Sequence, residues 1–334
     1  MKTLLKYTAD LDQLSPIEQN DLAKAMTSVE KFIKSSKKIS EVNFATRDAH
    51  SKTYATVKGF LKISENLPTF ITEVFKEQEY ELLARFSNAN LVINKKGRDA
   101  PLYGFALKIK NIKGKDANFP LVNFPLFPTN SPSAFLNFFR SVNTFLVTKQ
   151  DNFLVSALDL PSLIKNGLPL IGSMLSFDFI KKVVKFIPKS THFFFSFNYD
   201  GIGCYRLGAY IMKIGLKPIR NLTNIGKGEP QKESIPEFIS LQDSTFVLTI
   251  KMCENLKDQP VNDLMKTWKN APEYILGKIT IPQESLLNST SPEIENLNFN
   301  PFENPETLQP VGKIQQIRKK IYEISIATRN RLNQ

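Results

Sequence analysis

The sequence predicts an α+β chain centred on an antiparallel β-barrel or strongly curved sheet, with helices added to it. Three observations carry this reading. Short runs of alternating apolar and polar residues fill about 41–125 and return between 193 and 281. A Pro-punctuated, apolar helical block at about 128–190 interrupts them, and a further helical segment runs from about Lys313 to Leu332. We divide the 334 residues into an N-terminal helical arm, 1–40, and a single barrel domain, 41–334, with the block at 128–190 as its helical insertion.

Residues 11–38 read as a polar helix that starts at Ser15-Pro16, a capping hydroxyl followed by proline in the first turn, and ends in the lysine-rich stretch at 35–40. Strand-like alternation follows in 54–63, 82–87 and 104–110. Strands are expected again at 193–199, 205–219, 244–253 and 274–281. In the third of these Phe246, Leu248, Ile250 and Met252 share one face. Residues 284–312, rich in Asn, Pro, Glu and Ser, read as an extended surface segment.

Composition narrows the chemistry. Only two histidines are present, His50 and His192, so a site built from several imidazoles has no reserve to draw on. Two cysteines, Cys204 and Cys253, cannot make a disulfide framework or a four-thiolate cluster. The net charge of +12 rests on 35 scattered Lys and nine Arg with no arginine-rich run, which reads against a nucleic-acid partner. The first ten residues lack an uninterrupted apolar run, so the expected compartment is the reducing cytoplasm, and the glycosylation-type triplets at Asn221 and Asn288 then carry no meaning.

The insertion deserves a membrane check. Asp159, Pro161, Lys165, Pro169 and Asp178 break it into stretches far shorter than the ~20 apolar residues of a spanning helix. Phe177, Ile180, Val184 and Ile187 nevertheless form one stripe, with Lys181, Lys182 and Lys185 beside it. This reads first as the core-facing stripe of a surface helix. Peripheral contact with anionic lipid through 177–189 is the alternative.

In the last helix Arg318, Tyr322 and Arg329 stand at about 0°, 40° and 20° around the axis. Ile314, Ile317, Ile321 and Ile324 supply a neighbouring packing face and leave the Arg/Tyr/Arg stripe without a packing explanation. A guanidinium one turn from a phenol favours the phenolate, an anionic oxygen suited to ferric iron. Alone, such a pair reads more readily as a cation–π contact.

Several further pieces stand in order with it: Arg47-x-x-His50, Gly59-Phe60, Ala84-Arg85-Phe86-Ser87, Asp99 with 103–108, Leu121-Val122-Asn123-Phe124-Pro125, and Tyr205-Arg206-Leu207-Gly208 through Lys213 to Pro218. Together, over about 41–332, they resemble the haem core of the catalase superfamily. The resemblance implies an eight-stranded antiparallel barrel and haem b with tyrosinate-ligated ferric iron. It implies Tyr322 as the iron ligand and Arg318 as its partner. His50 would be the distal acid–base group, Asn123 the amide that bonds the peroxide, and Ser87 the hydroxyl that orients the histidine. Arg47, Arg85 and Arg329 would bind the propionates. His192 has no such role and reads as structural.

There are departures. Thr53-Tyr54 stand where the family is glycine-rich, Ala49 is small for its place, and Val122 abuts Asn123 where a glycine is expected. The sequence stops near the end of the tyrosine helix, without the C-terminal helical domain of full catalases. The glycines at 201, 203 and 208 lack dinucleotide-fingerprint spacing, so no nicotinamide cofactor is expected. Shortened relatives include weak haem peroxidases and coral-type allene oxide synthases. The implied activity is therefore peroxide cleavage, with hydrogen peroxide or an organic hydroperoxide as substrate. Rearrangement of fatty-acid hydroperoxides and a non-catalytic haem or lipid carrier are the alternatives, and a homodimer is held open.

Overall fold

The computed structural model describes residues 3–93, 99–220, 222–223, 231–288 and 292–334. Asn221, of the two triplets above, lies outside them. Ten strands are found among the described residues: β1 (Thr53–Ile63), β2 (Glu79–Asn88), β3 (Tyr103–Ile112), β4 (Lys115–Val122), β5 (Tyr199–Asp200), β6 (Cys204–Leu207), β7 (Tyr210–Pro218), β8 (Ser244–Met252), β9 (Glu273–Ile281) and β10 (Pro310–Val311). All their pairings are antiparallel. The order β7-β5-β4-β3-β2-β1-β9-β8 closes on itself through β7–β8, giving an eight-stranded barrel, and β6 and β10 extend it from the shared edge of β7.

The helices are α1 (Pro16–Ile39), α2 (Thr69–Thr72), α3 (Pro132–Asp151), α4 (Phe153–Ser156), α5 (Leu160–Met174), α6 (Phe177–Phe186), α7 (Gln231–Leu241), α8 (Pro292–Asn296) and α9 (Lys313–Leu332). α1 begins where the sequence says it should, with Ser15 and Glu18 forming a reciprocal capping box and Pro16 in the first turn. It buries Val29, Phe32 and Ile33 and lies against α3 and α9.

Alternation explains the barrel. Phe246, Leu248, Ile250 and Met252 of β8 are all buried, as are Phe86 of β2 and Phe105 of β3. Inside, Phe105 meets Phe86 at 4.8 Å and Phe246 at 5.3 Å between ring centroids, both edge to face. Closure also needs close backbone approach between β1 and β9. A Cβ on Gly59 would stand 2.7 Å from the Thr280 carbonyl oxygen, and one on Gly277 would strike that of Lys62.

The structure corrects four expectations. Strand 193–199 begins only at Tyr199; Phe193, Phe194 and Phe195 are all fully buried, and a 3₁₀ turn at Phe194–Ser196 carries the chain inward before the strand starts. Segment 205–219 is a hairpin, β6 and β7, turned at Gly208, whose φ of +62° suits glycine. The described part of 284–312 is not a loose surface strap. Asn304 accepts from the Asn118 amide at 2.6 Å and donates to its carbonyl at 3.2 Å, and Phe299 and Leu308 are buried. Finally, the stripe of α6 does not face the core: Phe177 is 78% exposed and Val184 60%, while Phe179 on the other side is buried against Phe124.

Gly59→Ala is expected to cost about 1–3 kcal/mol through forced separation of β1 from β9. Urea unfolding followed by circular dichroism checks this; an unchanged midpoint would contradict the close packing.

Candidate active site

β2, β3 and β4 build one wall of a cavity on the outside of the barrel. Their register sets Arg85, Ala106 and Pro120 in one row and Ser87, Gly104 and Val122 in the next. Because side chains alternate, these six leave the barrel while Phe86, Phe105 and Leu121 are buried beside them. Small residues keep this wall shallow. Facing it are α9, with Arg318, Tyr322, Ser325 and Arg329, and α3, with Phe135, Leu136 and Phe139. The loop Arg47–His50 closes one end, and the enclosed volume is about 280 Å³.

His50 lies over the second row. Its Nδ1 is 3.3 Å from Ser87 Oγ, and its backbone is in the left-handed region, φ +53°. A Cβ on Gly104 would fall 2.6 Å from that same nitrogen, so glycine is what gives the imidazole its room. Burial first, then the positive charges of Arg85, Arg318 and Arg47, push the His50 pKa down to about 4. The ring is therefore neutral across the physiological range.

Arg85 fixes the same loop. Its Nη2 donates to the His50 carbonyl at 2.7 Å and to Thr53 Oγ1 at 2.9 Å. Thr53, read from the sequence only as a departure, is thus the residue that turns Arg85 toward the loop. Arg47 Nη2 donates to the Leu297 carbonyl at 2.8 Å.

On the opposite wall Arg318 Nη2 donates to Tyr322 Oη at 3.3 Å, and the same guanidinium lies 5.6 Å from the Tyr322 ring centroid. Gln315 holds Arg318 from its other side, accepting from Nη1 at 2.8 Å. Both ends of α9 are anchored. At the start the Gly312 and Lys313 amides donate to Asp12 and Asn262, at 2.6 and 2.8 Å. At the finish Asn333 exchanges two hydrogen bonds with the backbone of Ala45, at 2.7 and 3.1 Å. Ala45 leads directly into the His50 loop, so the two walls are tied to each other.

Seven of the eight expected site residues line this cavity: Arg47, His50, Arg85, Ser87, Arg318, Tyr322 and Arg329. Asn123 does not. It follows Val122 by one residue, so the alternation that brings Val122 to the cavity turns Asn123 away. Its Oδ1 accepts from the Tyr103 amide at 2.8 Å and its Nδ2 donates to the Pro101 carbonyl at 2.9 Å. An isopropyl group stands where an amide was expected. His192 is outside the cavity, its ring 6.2 Å from that of Phe197.

Sequence reasoning passed over Asp48. It lines the cavity between Arg47 and His50, and its Oδ1 accepts from Ser325 Oγ of α9 at 2.6 Å. Burial raises its pKa above the ordinary 3.8, against the opposing pull of Ser325, Arg329 and Arg47. No spacing in the sequence links Asp48 to Ser325; only the fold brings the two together.

The residues present fit a haem. A phenol with a guanidinium partner suits a ferric centre, further guanidinium groups suit two carboxylates, and the shallow Gly104–Ala106–Pro120 wall suits a flat ring.

Gly104→Ala is expected to push the imidazole off the wall and move the His50 titration, followed by NMR, upward from about 4; an unmoved titration would refute the cradle. Asp48 binds its proton more tightly folded than unfolded, so its own contribution to stability falls as pH rises above 3.8. Asp48→Asn removes that slope. Urea midpoints should therefore diverge in favour of the variant as pH rises above 3.8, and parallel curves would show the carboxyl to be unperturbed.

No protein-family model matches the chain, and no curated protein matches it in sequence. Solved structures do. A fungal catalase is similar with a TM-score of 0.61 at 17% identity over 87% of this chain and 60% of that one. Catalase A from Saccharomyces cerevisiae gives 0.59 at 16%, over 87% and 62%. A bacterial catalase gives 0.59 at 13%, over 87% of this chain and 58% of its own. The chain thus spans about three fifths of the solved catalases it matches, and its fold is catalase-like, a closed eight-stranded barrel with added helices.

Proposed function

We propose that the chain is a haem-dependent enzyme that cleaves the O–O bond of hydroperoxides and prefers organic ones to hydrogen peroxide. One observation carries the reading: His50 with Ser87, and Tyr322 with Arg318, line one cavity although they come from distant parts of the chain. Haem b, when bound, supplies the redox chemistry of the O–O bond, with Tyr322 as the residue that would hold its iron. Arg318 is the hydrogen-bond partner of Tyr322, and Arg47 and Arg329, with positive charge added by Arg85, would hold the carboxylates.

The protein's own task is proton movement. With Nδ1 set against Ser87, Nε2 of the neutral His50 would take the proton of the hydroperoxide O–OH group. It returns that proton to the departing oxygen, which leaves as water or an alcohol. The preference for organic substrates rests on the second row of the wall, where Val122 supplies no hydrogen bond, and on the apolar side formed by Phe127, Phe135, Leu136 and Phe139. The same apolar side favours a second reading, rearrangement of a fatty-acid hydroperoxide in the manner of allene oxide synthases. Product analysis separates the two, an alcohol plus consumed reductant against a rearranged, reductant-independent product.

The test is to load the purified chain with haem and measure initial rates with hydrogen peroxide, cumene hydroperoxide and a fatty-acid hydroperoxide, following evolved oxygen separately. We expect kcat/KM for the organic substrates to exceed that for hydrogen peroxide by roughly tenfold or more. Its acid limb should fall near pH 4, where His50 gains its proton. His50→Ala should keep the Soret band and lose about 10²–10⁴-fold in rate; undiminished turnover would leave a haem or lipid carrier as the better reading. Tyr322→Phe should lose the tyrosinate spectrum.

A further inference from the structure

The helical insertion carries a large uncovered apolar surface. On α5 the stripe Ile164, Leu168, Ile171 faces solvent, and it continues past the helix end to Leu175. On α6 Phe177, Ile180, Val184 and the following Ile187 do the same. Leu168 is 60% exposed, Leu175 69% and Ile187 60%. The two stripes meet at the corner Leu175–Phe177. Each helix already has a different side turned inward, Gly167 and Leu170 on α5 and Phe179 on α6, so the exposed stripes are not core faces awaiting burial.

Charge decides what this surface fits. Residues 160–189 hold five lysines, Lys165, Lys181, Lys182, Lys185 and Lys189, against the single acidic residue Asp178. Apolar stripes flanked by lysine match a bilayer with anionic headgroups: hydrocarbon takes the stripe, and phosphate and carboxylate groups take the ammonium ions. A second copy of the chain matches poorly, since a two-fold contact would set the lysine-rich surface against itself. Spanning is excluded for α5 and α6, because no helix among the described residues is long and apolar enough to cross a membrane.

We infer that the α5–α6 corner docks on anionic lipid surfaces, with Leu168, Leu175 and Phe177 inserted at the headgroup boundary and the lysines in contact with the headgroups. The same insertion supplies α3, whose Phe135, Leu136 and Phe139 line the active-site cavity, so docking brings that cavity close to lipid. The docking is independent of haem and of turnover.

The test is co-sedimentation of the full chain with large unilamellar vesicles of phosphatidylcholine alone and of phosphatidylcholine with 30% phosphatidylserine. We expect binding to the second and little to the first, weakened several-fold when salt is raised from 0.1 to 0.5 M. Phe177→Asp combined with Leu168→Asp should reduce binding about tenfold or more, as should Lys181→Glu with Lys185→Glu. These side chains are exposed, and unchanged circular dichroism shows that the variants fold. Absence of binding to the serine-containing vesicles overturns the inference. So does binding that the apolar variants leave intact, or a dimer in light scattering that Phe177→Asp with Leu168→Asp dissociates.

Discussion

The register among β2, β3 and β4 is the constraint from which the site follows. Setting Ser87 opposite Gly104 and Gly104 opposite Val122 places a hydroxyl, a gap and an apolar side chain in a row under one imidazole. The inner face of the same strands is filled by Phe86, Phe105 and Phe119, so a slip of one residue would turn Arg85 into the barrel and Phe86 into the cavity. Core packing and site geometry are therefore enforced together. The barrel does not merely carry the cavity; its hydrophobic interior fixes which residues the cavity receives.

That coupling explains why much of the fold was legible. Alternation in β8, the Ser15–Glu18 capping box and the isoleucines of α9 each report a local physical preference that the folded chain honours. Legibility failed where two arrangements satisfy the same local pattern. An amphipathic helix announces that it has two faces without saying which one the protein covers, and in α6 the inward side is that of Phe179. Three consecutive phenylalanines look like strand, and in the fold they lead into a buried 3₁₀ turn. Gly208 sits within an otherwise continuous strand pattern and becomes a hairpin only because the chain must reverse there.

The site shows the same division. Motif order brought Arg47, His50, Arg85, Ser87, Arg318, Tyr322 and Arg329 to one cavity, but the parity of a single position decides Asn123. Motif matching is insensitive to parity when a neighbour is missing, and the absent glycine before Asn123 was the warning. Asp48 was overlooked for another reason: its importance lies in a hydrogen bond to Ser325, 277 residues away, which no local pattern encodes.

Those long ties have a kinetic meaning. Asp48 meets Ser325, and Ala45 meets Asn333 across 288 residues, with the closed barrel lying between them in sequence. Contacts of such separation carry a heavy loop-closure cost unless intervening structure has already brought their partners together. A closed barrel would therefore lower the cost of both ties. A ligand that bridges the two walls would act as a clamp on ties that span most of the chain.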